Sequence, residues 1–203
     1  MSEKKVSIAD PGPLGLAAFA LTTFVLSCVN ANLVPDSVAD TFLTLGLFYG
    51  GLAQLLAGMW EFIKGNTFGA TAFTSYGAFW ISLSSMVYLE LSGVLTFGSD
   101  MNIALGLFLV AWTIFTFYMW IGTFRLNLAL NLVFGLLLIT FILLDLTEFN
   151  VISGPIAGYF GLATAFAAWY ASAAGILNPL YERGILPIGQ FKIKQTKRLG
   201  RSA

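Results

Sequence analysis

All ten Lys and Arg residues fall on one side of a membrane once the chain is cut at its charges. The cut leaves six uncharged windows: 11–35, 41–60, 65–89, 101–124, 126–144 and 149–181. A helical crossing of the bilayer core needs about 20 apolar residues, so each window spans once. With the N-terminus inside, Lys4, Lys5, Lys64, Arg125, Arg183, Lys192, Lys194, Lys197, Arg198 and Arg201 are all cytoplasmic. The charges in the opposite loops are Asp36, Asp40, Glu90, Asp100, Asp145 and Glu148, all acidic. This is the bias of positive charge toward the cytoplasm. It predicts an all-α integral membrane protein with six transmembrane helices and both termini cytoplasmic. The single domain covers 1–203, with spans at approximately 14–34, 41–60, 67–89, 101–122, 126–145 and 153–177 and a basic cytoplasmic tail at 182–203.

Composition agrees. The chain is 58% hydrophobic and 10% charged, against about 25% charged in a water-soluble domain. The loops are too short to fold a domain outside the bilayer. The expected location is the cytoplasmic membrane, with lipid as a partner. The basic tail either touches anionic lipid or is a solvated topology signal. Lys4 and Lys5 before an apolar run resemble a signal peptide, but Val29-Asn30-Ala31 is a poor cleavage site. Cleavage would also divide the basic residues between two sides, so the first span is read as retained.

Several function classes lose their chemistry. One cysteine, Cys28, forms no internal disulfide and no CxxC metal site. There is no histidine, the commonest metal ligand and general base. No GxGxxG, Walker, GxSxG or HExxH string occurs. No enzyme, cofactor or metal ion is expected. The basic residues are not interleaved with stacking aromatics, so no nucleic acid is expected either.

Asp10 is placed to cap the first helix, ahead of Pro11-Gly12-Pro13. The last helix is expected to begin near Ser153-Gly154-Pro155 and end before Asn178-Pro179. Gly46 with Gly50, Gly154 with Gly158, and the strip Ala163, Ala167, Ala171 and Gly175 are smooth surfaces for close helix contact.

No window holds a charge, so no side-chain ion pair awaits cargo at mid-depth. Uncharged polar residues do form faces. Phe19, Thr23, Leu26 and Asn30 share one side of the first helix, and Gly50, Gln54, Gly58 and Glu61 one side of the second. Thr67, Thr71, Thr74 and Ser75 form a hydroxyl stripe on the third, with Tyr76 roughly opposite; Asn127 and Asn131 stand one turn apart on the fifth. Buried amides are costly in hydrocarbon. Thr23, Asn30, Gln54, Thr74, Asn127 and Asn131 therefore either line a polar path or join helices by hydrogen bonds.

Particular strings narrow the choice. Pro11-Gly12-Pro13-Leu14-Gly15-Leu16 is followed in order by Phe48-Tyr49-Gly50-Gly51-Leu52-Ala53-Gln54, Lys64-Gly65-Asn66-Thr67-Phe68-Gly69, Ala72-Phe73-Thr74-Ser75-Tyr76-Gly77 and Leu186-Pro187-Ile188-Gly189. The set resembles the acetate uptake transporter family, also called succinate–acetate permeases. One departure is Asp10, where the family usually has Asn. The resemblance implies a homohexamer with one path per subunit for acetate and related short acids. It also implies a hydrophobic constriction, which falls on Phe19, Tyr76 and Leu137.

A charge-free path suits an acid that crosses neutral or together with a proton, since a carboxylic acid has a reference pKa of about 4. Transport is then expected to rise as external pH falls. The alternative is a neutral-solute channel for urea, amides or ammonia. A membrane enzyme or sensor would lack a nucleophile–base pair and an output domain, and a purely structural protein leaves the polar faces unexplained.

Overall fold

The computed structural model describes residues 8–191. Lys4, Lys5 and the part of the basic tail from 192 onward lie outside the described residues. Six long helices form the described chain. α1 is Gly12–Asn30. α2 is composite: Thr41–Leu47, a wider π-helical stretch Phe48–Ala53, then Gln54–Lys64. α3 is Thr67–Leu91, α4 Met101–Thr123, α5 Leu128–Glu148 and α6 Ile156–Leu180. No strand occurs among the described residues, only an isolated antiparallel bridge between Asn127 and Gln190.

Among the described residues, five segments are long and apolar enough to cross a membrane: Gly12–Asn30, Asp36–Lys64, Gly98–Thr123, Leu128–Glu148 and Ile156–Leu180. The chain is a multi-pass membrane protein. α3 is not among the five, although its 25 residues would reach about 37 Å at 1.5 Å per residue. Its hydroxyl stripe dilutes its hydropathy. The other side of α3 is buried in the bundle, through Ala72, Phe73, Tyr76, Phe79, Trp80 and Leu83 among others.

α1 packs along α6 and against α2; α2 lies on α3, and α5 sits between α4 and α6. The backbones of α3 and α4 scarcely meet, because aromatic rings hold them apart. Phe79 stacks on Phe108 at 5.5 Å between ring centroids, and Tyr76 meets Phe115 edge-on at 5.3 Å.

Small residues set the close contacts where lipid gives little apolar drive. Gly50 seats on Thr22, Gly58 on Thr74, Gly158 on the backbone of Asn30 and Ala31, and Gly161 on Ser27. Two expectations need correction here. Gly154 precedes α6 at φ +100°, and a side chain there would meet nothing within 4 Å, so it forms no close-packed pair with Gly158. Ala163 is exposed; the strip that seats α6 runs through Gly158, Gly161, Ala165 and Ala168.

The helix ends bring further corrections. Pro11, not Asp10, occupies the first cap position, and Asp10 acts one residue earlier. Its Oδ1 accepts from Gly12 N at 2.9 Å and from Lys64 Nζ at 2.7 Å. Asn127 is extended (φ −154°, ψ 165°) and caps α5, its Oδ1 accepting from Leu130 N at 2.9 Å. It therefore stands before the helix rather than stacking within it. α6 does not stop at Asn178-Pro179, because Tyr181 N still donates to Leu177 O at 3.0 Å. Pro179 fits in this last turn, and Asn178 holds Leu186 through two hydrogen bonds of 2.9 Å. The chain then returns across the bundle end: Leu128 N donates to Gly189 O at 2.8 Å and Ala129 N to Ile188 O at 3.0 Å. The Leu-Pro-Ile-Gly string thus satisfies amides that open α5.

Candidate functional site: a vestibule and a constriction

A cavity of about 670 Å³ opens where α1, α3 and α5 begin and α2 and α6 end. Its polar wall is Asp10, Glu61, Lys64, Asn66, Arg125, Asn127, Asn178 and Gln190. Leu16, Ala72, Phe73 and Phe134 belong both to this wall and to that of a second cavity of about 20 Å³. The second lies deeper, one turn further along each helix, and is closed by Phe19, Gln54, Tyr76, Val133 and Leu137. Its volume is room for about one water molecule.

Phe19, Tyr76 and Leu137 are brought together on this small cavity, from α1, α3 and α5. They are buried to 5%, 3% and 5% exposure. The Phe19 and Tyr76 rings stand 5.8 Å apart, and Phe134 lies 6.0 Å from Tyr76. The Tyr76 hydroxyl does not point free into the space: it hydrogen-bonds the Thr116 hydroxyl of α4 at 2.8 Å. That bond fixes the ring on the wall of the small cavity.

The polar candidates divide. Gln54 joins the constriction wall at 1% exposure, and its Oε1 has no hydrogen-bond partner. The π-helical stretch ends immediately before it. Asn127 joins the vestibule wall. Thr23, Asn30, Thr74 and Asn131 are absent from both walls. The Thr23 hydroxyl is buried without a partner, and Asn30 ends α1. Thr74 sits in the seat left by Gly58. Asn131 Nδ2 donates to Thr123 Oγ1 at 2.9 Å, joining α5 to α4.

Charge cutting missed the most unusual wall residue. Glu61 ends an uncharged window, so it reads as a loop residue. In the fold it is 1% exposed. Asn66 Nδ2 donates to its Oε2 at 2.7 Å, and Lys64 Nζ lies 3.7 Å from the same oxygen. Its place on the Gln54 face was the available signal. Thr116 was also missed: a lone hydroxyl in an apolar helix carries no mark of its partner.

The chain matches the profile of the GPR1/FUN34/yaaH family over residues 1–191. It is 42% identical to acetate permease A of Emericella nidulans, covering 95% of this chain and 70% of that one. It is 38% identical to the succinate-acetate/proton symporter SatP of Escherichia coli strain K12, covering 90% and 96%. A third relative, ammonia transport outward protein 2 of Saccharomyces cerevisiae, is 41% identical over 83% of this chain; the chain spans 61% of that protein's length. Among solved structures, the bacterial acetate channel SatP superposes with a TM-score of 0.84 at 37% identity, covering 90% of this chain and all (100%) of that one. The ordered motif strings implied this relationship, and a profile match along nearly the whole chain agrees with them: the chain belongs to the GPR1/FUN34/yaaH family.

Proposed function

We propose that the protein transports acetate and related short-chain carboxylic acids across the cytoplasmic membrane, with a proton or as the neutral acid. The observation that carries this is the pair of cavities with shared walls: a polar vestibule beside a small apolar gap closed by Phe19, Tyr76 and Leu137. An ion entering that gap would lose its hydration among aromatic and aliphatic groups, at a cost of many kcal/mol. A neutral acid loses far less and exposes a donor to the unpartnered Gln54 oxygen.

On this reading α3 is the sixth span. The cavity end that bears Lys64 and Arg125 faces the cytoplasm, as do both termini. Six such subunits form a homohexamer, each with its own path. Gln54 and Asn127 line the path; Thr23 and Asn30 continue it along α1 toward the other face. Asn131 and Thr74 act chiefly by holding helices together. We assign no enzymatic activity.

The test is uptake of labelled acetate into liposomes holding the purified protein, with and without an inward proton gradient. Uptake should rise with the gradient and fall when unlabelled succinate is added. Flux of urea or ammonia that acetate does not inhibit, with no acetate uptake, would replace this reading with the neutral-solute channel.

A further inference from the structure

Glu61 is the one charged side chain buried in the described core. Charged groups in membrane spans that face a cavity commonly serve proton or ion movement. Oε2 is held by Asn66 and approached by Lys64. Oε1 accepts no hydrogen bond within the described residues, although Glu61 lies on the vestibule wall. Gly69 makes room for the carboxylate: a Cβ there would stand 3.0 Å from Cδ.

The surrounding charges are few. Asp10 precedes α1 and draws Lys64 to itself at 2.7 Å. Lys64 is the neighbour on the same helix, and Arg125 lies on the vestibule wall between α4 and α5. α3 and α6 offer this wall uncharged residues, including Asn66, Gly69, Gly175 and Asn178. Lys64 is thus divided between two carboxylates, and Glu61 keeps an oxygen open to the cavity.

We propose that Glu61 and the substrate carboxylate share a single proton in the vestibule. Two carboxylates within hydrogen-bond reach do not both stay ionised. The bound pair is therefore one carboxylic acid donating its O–H to one carboxylate. It forms from ionised Glu61 and the neutral acid, or from protonated Glu61 and the anion, and the two routes reach the same state. Either way, one proton enters with each substrate. This deepens the transport reading and rests on the substrate being a carboxylic acid.

The test is calorimetric titration of the purified full-length protein with sodium acetate, from about pH 6.5 to about pH 8.5. One linked proton means that the apparent Kd of the wild type rises about tenfold per pH unit. Glu61→Gln keeps an acceptor for Asn66 but has no proton to share, so its Kd should change by less than about twofold across the range. A tenfold slope that survives Glu61→Gln shows that the neutral acid binds without this residue and overturns the proposal. So does a flat wild-type profile. If Glu61→Gln fails to fold or to bind, Glu61→Ala decides: a lost slope supports the shared proton, and a retained slope overturns it. A wild type that transports acetate while Glu61→Gln keeps its slope leaves the transport reading intact; a wild type that neither binds nor transports acetate defeats both.

Discussion

Leu137→Ala is the most direct test of the constriction. The side chain is 5% exposed and closes a gap of about 20 Å³. The substitution removes three carbon atoms from the wall. At about 0.8 kcal/mol per buried methylene, the wall gives up contacts worth about 2.4 kcal/mol. A substrate one group larger than acetate then fits where it was excluded. A methylene of difference in a tight apolar pocket discriminates roughly 10–200-fold. The ratio of lactate to acetate uptake should therefore rise at least about tenfold. The assay is paired uptake of the two labelled acids into liposomes, scaled to folded protein. Folding must be checked, because Leu→Ala in a packed site costs about 2–5 kcal/mol; the melting temperature of the purified protein serves. Leu132→Ala is the control. It lies on the same helix but is 51% exposed, so it should leave the ratio unchanged. A folded Leu137→Ala protein with a ratio within twofold of the wild type would refute the assignment of this residue to the gap.

Three further substitutions separate packing from transport. Tyr76→Phe removes a hydroxyl already bound to Thr116; it should cost about 1 kcal/mol of stability and shift half-saturation for acetate by less than twofold, with a larger shift showing that the hydroxyl meets the substrate. Gly77→Ala places a methyl 2.7 Å from the Leu55 backbone nitrogen, so α2 and α3 must separate; a loss of roughly 1–3 kcal/mol should appear as a lower melting temperature, and an unchanged one would mean that the helices part without strain. Asn178→Ala breaks both bonds to Leu186; the return segment should become cleavable by added protease before the bundle melts, at a cost of about 1–3 kcal/mol.

Helix number and helix faces were legible because lipid imposes one rule along the whole chain: uncharged stretches must span and pair their own backbone groups. The burial of Gly50, Gln54 and Gly58 together follows from their shared helix face. Phe19, Tyr76 and Leu137 were reached through the family strings, since nothing in hydropathy marks three apolar residues as a set. What escaped depends on contacts between distant segments. Asn127 reads as a helical residue until Leu128 and Ala129 are seen to donate to Gly189 and Ile188. Glu61 reads as solvated until Asn66 folds back onto it.

The position of Glu61 gives the two-cavity layout a reason. A constriction that passes neutral acids leaves the proton on the substrate, while a cytoplasm near neutral pH favours the anion. The proton must therefore change hands on the wide side of the gap. The vestibule has a carboxylate there with one oxygen open, and the exposed Arg125 stands on the same wall. A carboxylate placed in the gap itself would repel the anion and trap the proton among apolar groups. Placed in the vestibule, it exchanges with solvent through the mouth. On the proposed reading the order along the path follows: amide and hydrophobic groups would select the neutral form in the gap, the buried carboxylate would share its proton, and the Arg125 cation would meet the anion that leaves.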